Sequence, residues 1–250
     1  MWIEITGLPG SGKTTATSLL RRFLAHAGQP THSPTSALVG RHLARWLWSD
    51  TLHNRILERI PATGQIPFPS SWNRLHQLVA EIASTPTERR RLARAVQRQQ
   101  RIAAIGTPVR RKLVVDEGPR QLLMSLWART SSRRIRETLL RLDLPWPDHL
   151  VVVETPRETA AARLSDRGHL PFPDHPDATL PQRLAACEDA LNNTLVRLPP
   201  QTRLWILAND ATWDQLQAAA NNTARAVLAS SDNVPIDLLA PTSRIRESAA

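Results

Sequence analysis

Short apolar runs alternate with longer amphipathic segments along most of this 250-residue chain. The runs are rich in β-branched residues and bounded by turn residues, which is typical of buried strands in a parallel sheet. Apolar residues at helical spacing occupy the segments between them. The pattern therefore predicts an α/β fold with a doubly wound sheet, whose strands include residues 1–6, 112–116, 149–154 and 203–207.

The same pattern predicts one domain followed by a tail. The domain spans residues 1–228 and contains a helical insertion at about 35–105, where no convincing strand occurs. From residue 229 to residue 250 no repeating apolar pattern is visible, so we expect a flexible C-terminal tail.

The turn after the first predicted strand carries the strongest chemical signal. Residues 7–14 read G-L-P-G-S-G-K-T, which fits the phosphate-binding pattern G-x-x-x-x-G-K-[ST] between a strand and a helix. In such a P-loop, backbone N–H groups surround the phosphates, Lys13 reaches the β- and γ-phosphates, and the Thr14 hydroxyl ligates magnesium. The sequence therefore predicts binding of ATP with Mg²⁺ by Gly7, Pro9, Gly10, Ser11, Gly12, Lys13, Thr14 and Thr15.

Two adjacent carboxylates follow the second predicted strand, at the edge where open α/β sheets bind ligands. Asp116 is a candidate to hold the magnesium shell or to accept a proton from an acceptor hydroxyl. Glu117 is a candidate for either task, and the sequence leaves the division between them open. The alternative is an acidic pair that merely ends a strand.

A third candidate group is a pair of arginines in a predicted lid at about 163–177. Arg163 and Arg167 lie four residues apart, on one face of a predicted helix. Phosphoryl transfer spreads negative charge over the equatorial oxygens, which arginines on a closing lid neutralise. In so arginine-rich a chain, an ordinary solvated helix face is the alternative.

The charge balance favours anionic partners. The formal charge of +10 comes almost entirely from arginine, although a GC-rich genome would produce the same bias. A basic helix around residues 89–101 lacks aromatic residues for stacking, so we expect a solvated face there. The alternatives are a surface that binds nucleic acid or an anionic substrate. The arginines of that helix are Arg89, Arg90, Arg91, Arg94, Arg98 and Arg101.

Other features limit the location of the chain and its cofactors. No apolar run approaches the roughly 18 residues of a membrane-spanning helix, and no leader pattern precedes the first strand. We therefore expect a cytoplasmic protein without a membrane partner. Cys187 is the only cysteine and has no metal-ligand partner at a recognisable spacing, so we expect an inert buried thiol.

Three motifs together resemble those of the P-loop nucleoside and nucleotide kinases, nearest the thymidylate kinase and deoxynucleoside kinase branch. They are G-L-P-G-S-G-K-T-T at 7–15, V-V-D-E-G at 114–118 and V-V-V-E-T-P-x-x-x-A-x-x-R-x-x-x-R-G at 151–168. The resemblance covers roughly residues 1–28 and 110–228.

This resemblance implies a P-loop NTPase fold with a five-stranded parallel sheet flanked by helices. It also implies that the lid carries Arg163 and Arg167, and that an adenine pocket lies near residues 209–211, with Asn209 in contact with the nucleotide.

The chain departs from the family pattern on the acceptor side. Thr31-His32-Ser33-Pro34 stands where an acidic residue is usual, and Glu117 stands where arginine commonly follows the strand-end acid. The resemblance therefore supports donor binding and leaves the acceptor open.

The leading interpretation is an ATP-dependent kinase that acts on a small anionic or hydroxylated molecule. One alternative is a P-loop ATPase or nucleotide switch that works with a protein or nucleic acid, with the second acid of the Asp116-Glu117 pair activating water. Another is a nucleotide-binding protein without catalysis. A homodimer is among the assemblies that the sequence leaves open.

Overall fold

In the computed structural model, the residues described are 1–32, 68–106, 112–168, 178–210 and 212–231. The first part of the expected helical insertion lies outside them. Most of the expected lid, Ala211 of the adenine pocket and nearly all of the expected tail also lie outside them.

A parallel sheet forms the centre of the fold. Its strands are β1 (Trp2–Gly7), β2 (Leu113–Val115), β3 (His149–Glu154) and β4 (Arg203–Ala208), in the order β2-β1-β3-β4. All three strand pairings are parallel. Every residue of β1 is buried, as expected for an interior strand that is covered on both faces. The predicted α/β fold with a parallel sheet is confirmed.

The fifth strand is a correction. Within the described residues the sheet has four strands, not the five that the family resemblance implied. Among the described residues, only His32 reaches the fifth position, where it forms an isolated parallel bridge to Leu113 at the outer edge of β2. Pro30 and Pro34 stand two residues to either side in the sequence, and proline has no N–H to donate to a strand ladder.

Helices connect the strands and cover both faces of the sheet. In chain order, the described helices are α1 (Lys13–His26), α2 (Pro69–Ile82), α3 (Pro86–Gly106), α4 (Pro119–Ala128), α5 (Arg133–Arg141), α6 (Arg157–Asp166), α7 (Leu180–Leu195) and α8 (Trp213–Ser231). Within the described ranges, none of the helices has the length and apolar character needed to cross a bilayer.

Two hydrophobic clusters hold the layers together. On one face, Ile3 and Ile5 of β1 pack with apolar residues of α1 and α8. On the other face, Trp2 of β1 and Leu113 of β2 belong to a cluster that includes α2, α3, α4 and α5. The sheet therefore lies between two helical layers, and α3 and α4 lie on the same side of it. This arrangement brings both helices close to the turn that follows β1.

Candidate functional site

The predicted P-loop lies between β1 and α1, at the carboxyl end of β1. Lys13 is the first residue of α1, and its Nζ donates to the carbonyl oxygens of Gly7 at 3.1 Å and Leu8 at 2.9 Å. Burial lowers the pKa of Lys13, while the negative charges of Glu117 and Asp116 raise it. The ammonium is therefore held inside the curve of the loop, where a phosphate group would sit.

Gly12 gives the P-loop its close contact with β4. Its φ is +89°, in the left-handed region that favours glycine, and an added Cβ would overlap the Asn209 amide nitrogen. Asn209 is buried directly after β4, and its Nδ2 donates to the carbonyl oxygen of Ser11 at 2.5 Å. The side chain of Asn209, which the family resemblance assigned to an adenine pocket, thus holds the back of the P-loop.

Thr155 supports the P-loop from the end of β3. Its hydroxyl is buried between the carbonyl oxygens of Ser11, at 3.1 Å, and Asn209, at 3.2 Å. The sequence analysis assigned no role to Thr155. The available signal was its position, since a polar residue directly after a buried strand lies at the ligand-binding edge of an open α/β sheet.

The two strand-end carboxylates face different neighbours. Glu117 is exposed and lines the cavity described below, with its Oε2 3.4 Å from a guanidinium nitrogen of Arg98. Asp116 is half-buried, and its charge raises the pKa of both Lys13 and Arg21 against the opposite effect of burial. Asp116 is thus electrostatically coupled to the P-loop lysine, and Glu117 faces the opposite wall of the cavity.

The two predicted lid arginines both approach the P-loop. Arg163, in α6, donates to the carbonyl oxygen of Asn209 at 3.3 Å and lies near Gly12. Arg167, which caps the C-terminus of α6, is exposed and lines the same cavity as Lys13. Lys13 and Arg167, two of the three cationic side chains predicted to neutralise phosphate charge, therefore line one cavity. The third, Arg163, lies behind the P-loop.

A cavity of about 830 Å³ lies in front of the P-loop. Ligand pockets typically measure about 300–1,000 Å³, so this one is large enough for a nucleotide and part of a second molecule. The P-loop and Arg167 form one wall. The helices α3 and α4 form the facing wall, with Arg91, Arg98, Gln99, Gln121, Ser125 and Arg129. The sequence indicated Arg91 and Arg98 only as part of a basic helix with anionic-substrate binding as an alternative, and it gave no indication of the other four residues.

Arg129 is the most enclosed cation of this facing wall. Its side chain is 9% exposed, and its Nε lies 3.5 Å from Oε1 of Glu88, whose side chain is fully buried. Burial lowers the pKa of Arg129 to about 10, and the Glu88 carboxylate opposes that effect. Ser84 donates to the other Glu88 oxygen from both its N–H and its hydroxyl. The guanidinium is therefore charged at neutral pH and fixed in place.

Cys187 also lines the cavity, from α7. Its side chain is buried against Leu8, and burial raises the pKa of the thiol to about 12. The thiolate is the reactive form of cysteine. The observed environment therefore agrees with the predicted inert thiol.

A buried carboxylate connects β1 to α4 beneath the site. Oε1 of Glu4 accepts hydrogen bonds from the backbone N–H groups of Arg120 at 2.8 Å and Gln121 at 3.1 Å, in the first turn of α4. The Gln121 amide oxygen in turn accepts from the Thr6 hydroxyl and the Gly7 N–H. Gly118 permits this contact, because an added Cβ would lie 2.7 Å from Glu4 Cγ and closer still to the carboxyl group.

We predict that Glu4 and His149 make the free energy of unfolding change with pH in opposite directions. Burial raises the pKa of Glu4 to about 7, so its contribution to folding is present below pH 4.5 and is lost as pH rises through 7. Burial lowers the pKa of His149 to about 4, so its contribution is present above pH 6.5 and is lost as pH falls through 4. Each effect is worth about 3 kcal/mol, and they oppose each other across the same window.

Two variants separate these effects. Relative to wild type, Glu4→Gln should gain unfolding free energy as pH rises from 4.5 to 7, because the slope due to His149 is then unopposed. His149→Asn should lose free energy over the same range, with its amide oxygen replacing Nδ1 as acceptor for Trp205 Nε1. Urea unfolding at several pH values measures both slopes. Parallel pH profiles for all three proteins would contradict the prediction.

The oxygen donors beside Lys13 fit Mg²⁺. The cation prefers hard oxygen ligands and usually keeps several waters, with one or two protein ligands and the phosphates of its substrate. Thr14 presents an exposed hydroxyl next to Lys13, and Asp116 supplies a carboxylate that is electrostatically coupled to Lys13. These two residues are the side chains that would hold the ion.

Comparison with known proteins gives structural similarities only. No model of a known protein family matches the chain, and no curated protein sequence matches it. It is similar to deoxyadenosine kinase from M. mycoides with bound dATP, with 11% identity, a TM-score of 0.48, and coverage of 89% of this chain and 98% of that one. It is also similar to thymidylate kinase from Ehrlichia chaffeensis, with 12% identity, a TM-score of 0.42, and coverage of 91% and 98%. The function proposed next rests on the residues of the site.

Proposed function

We propose that this protein is a kinase that transfers the γ-phosphoryl group of ATP to a small molecule. The observation that carries the proposal is the shared cavity. The P-loop lysine, Arg167 and Glu117 line the same space of about 830 Å³, with a polar second wall opposite the P-loop. A hydrolase needs room only for water beside the γ-phosphate. A cavity with a second polar wall suits a second substrate.

The donor half consists of the P-loop, with Arg163 of α6 behind it, and of Arg167 at the C-terminal cap of α6. Lys13 binds the β- and γ-phosphate oxygens, and Arg167 neutralises the charge that develops on the transferred group. Asn209 and Thr155 keep the loop in its phosphate-binding shape through Ser11. Thr14 and Asp116 would hold magnesium, which would offset part of the phosphate charge.

The acceptor half is assigned to the facing wall. The acceptor oxygen attacks the γ-phosphorus as the bond to the β-γ bridging oxygen breaks, which releases ADP. Glu117 is the carboxylate that lines the cavity, so we assign it the proton that the acceptor hydroxyl loses. A guanidinium nitrogen of Arg98 lies 3.4 Å from Oε2 of this carboxylate.

The experiment that tests the proposal follows the fate of the γ-phosphate. The protein is incubated with Mg-ATP and a panel of nucleosides, nucleotides, sugars and their phosphates, and products are observed by phosphorus NMR. We expect a new phosphoester signal that depends on one acceptor class and is missing for Lys13→Ala. Release of inorganic phosphate alone, increased by a protein or nucleic acid, would favour the ATPase or switch. No turnover at all would favour a binding protein.

A further inference from the structure

A second cavity, of about 130 Å³, is separated from the P-loop cavity by α4. Residues of α4 that are three and four positions apart share the face that lines it, and these are Arg120, Leu123, Met124 and Trp127. The P-loop cavity is lined from α4 by Gln121, Leu122 and Ser125, together with Met124. Only Met124 thus belongs to both linings within the described part of α4. Residues of α5 and α7 complete the second cavity, which we call the α4–α7 cavity.

Arg120 is the buried cation of the α4–α7 cavity. This residue is only 3% exposed, and its guanidinium carbon lies 3.8 Å from the centroid of the Trp146 ring. The cation–π contact holds one face of the guanidinium. Its Nη2 donates to the carbonyl oxygens of Leu144 and Pro145, whereas neither Nε nor Nη1 donates to any described residue. Arg120 therefore lines the cavity with N–H groups that the fold itself does not use.

The other charged groups around the α4–α7 cavity favour an anion. Arg197 also lines it, and its Nη1 donates to the carbonyl oxygen of Leu140 at 3.3 Å. No carboxylate of a described residue belongs to the lining. Glu4 and Asp143 act on Arg120 from outside the cavity, and they raise its pKa against burial, which lowers it to about 10. Arg120 is therefore charged at neutral pH, and no lining carboxylate competes for its free N–H groups.

The rest of the lining sets the size and character of a ligand. Leu123, Leu139 and the ring of Trp127 contribute an apolar wall. An apolar cavity of about 150 Å³ holds a benzene molecule, so a space of about 130 Å³ that opens beside the exposed Arg197 suits one small ring or a short aliphatic chain. A carboxylate is the planar anion that a guanidinium binds through paired N–H groups. Free phosphate would leave the apolar wall without a partner.

We infer that the α4–α7 cavity binds a small monocarboxylate with an apolar body, whose carboxylate meets Arg120 and Arg197. This site is separate from the proposed catalytic cavity and does not rest on kinase activity. It is nevertheless connected to the P-loop through α4. The backbone N–H of Arg120 donates to Glu4, and the side chain of the next residue, Gln121, accepts from the N–H of Gly7. This is the position of an effector site rather than of an acceptor site.

Benzoate and benzamide are the matched probes, because both carry a planar head group on the same ring and differ in charge. Each is titrated into the full-length protein labelled with ¹⁵N, and the indole N–H signals are followed by NMR. We expect benzoate to shift the signals of Trp127 and Trp146, which are assigned with Trp127→Phe and Trp146→Phe. It should bind at least about 10-fold more tightly than benzamide. Equal affinity, or no shift of either signal, would overturn the inference.

Arg197→Ala tests the arginine at the open side of the cavity. It should weaken benzoate binding by about 10-fold, because a charge-assisted hydrogen bond is lost. Arg141→Ala is the matched control, since Arg141 is exposed and follows the lining residue Leu140 but does not line the cavity itself. Its removal lowers the net charge equally and should leave the affinity within about twofold. Similar weakening by both variants would show a general charge effect and would overturn the inference.

A competition experiment distinguishes this site from the P-loop. The benzoate titration is repeated with the P-loop saturated by a non-hydrolysable magnesium ATP analogue. We expect the shifts at Trp127 and Trp146 to persist, with a dissociation constant within about threefold of the first value, because α4 separates the two cavities. Displacement of benzoate by the analogue would place it at the P-loop and would overturn the inference. The titration without nucleotide stands even if the protein transfers no phosphate, so failure of the kinase proposal is recognised separately.

Discussion

Replacing Lys13 with alanine should reduce phosphoryl transfer by about 1,000-fold or more. The Nζ group lies inside the P-loop, held by the carbonyl oxygens of Gly7 and Leu8, where it would meet the phosphates. Stabilisation of the transferring charge by such a preorganised cation is often the largest single contribution to catalysis. Steady-state transfer from Mg-ATP, with the acceptor found in the panel, measures the loss.

Lys112→Ala provides the matched control, because Lys112 is the only other lysine of the chain. Its side chain bonds to Gln29 rather than to the P-loop. Transfer by this variant should stay within about twofold of wild type, because the lost group does not line the cavity. A Lys13→Ala enzyme that retains a tenth of wild-type activity would contradict the role assigned to Lys13.

Gly118→Ala should lower the free energy of unfolding by about 3 kcal/mol or more. The added methyl group would overlap the buried Glu4 carboxyl group, with even Cγ only 2.7 Å away. Overpacking of a well-packed core typically costs about 1–3 kcal/mol. The cost should be at the upper end here, because Glu4 cannot move aside without losing its hydrogen bonds to the first turn of α4. Urea unfolding measures the loss.

Gly28→Ala is the comparison that isolates the steric clash. Gly28 has a φ of +74°, so alanine there is strained by about 1–2 kcal/mol, but its Cβ would meet nothing within 4 Å. Gly118 has a φ of −95°, which any residue adopts, so its cost comes from contact alone. If Gly118→Ala were no more destabilising than Gly28→Ala, that result would contradict the expected steric clash between the added methyl group and Glu4.

The sequence was sufficient to predict the four strands and the P-loop. Continuous β-branched runs identify buried parallel strands directly, and the glycine pattern fixes the turn after β1. The fifth strand was inferred from the family resemblance, and residues 31–34 alone contain little that predicts a strand. Among the described residues, the isolated bridge between His32 and Leu113 is the only pairing at the position of the fifth strand.

The facing wall could not be predicted from the sequence, because it depends on how two helices pack. A helix with arginines at many positions gives no sign of which face is buried, and we expected a solvated face for α3. Arg91 and Arg98 line the cavity in front of the P-loop, whereas Arg89, Arg90 and Arg94 do not. Arg91 is nevertheless exposed, like these three. The contact of Glu4 with α4 likewise joins residues 116 positions apart, beyond the reach of any local pattern.

The most direct test of the account is whether Mg-ATP binds at the P-loop. Thermal unfolding is measured for wild type and Lys13→Ala, with and without Mg-ATP. Both proteins receive the same concentration, about 100 times the dissociation constant of Mg-ATP for wild type. The account predicts a rise of about 5–10 °C for wild type, because ligand at that level adds about 2.7 kcal/mol of stability to a domain of this size. It predicts a rise below about 2 °C for Lys13→Ala. No rise in wild type, or an equal rise in both proteins, would contradict the account.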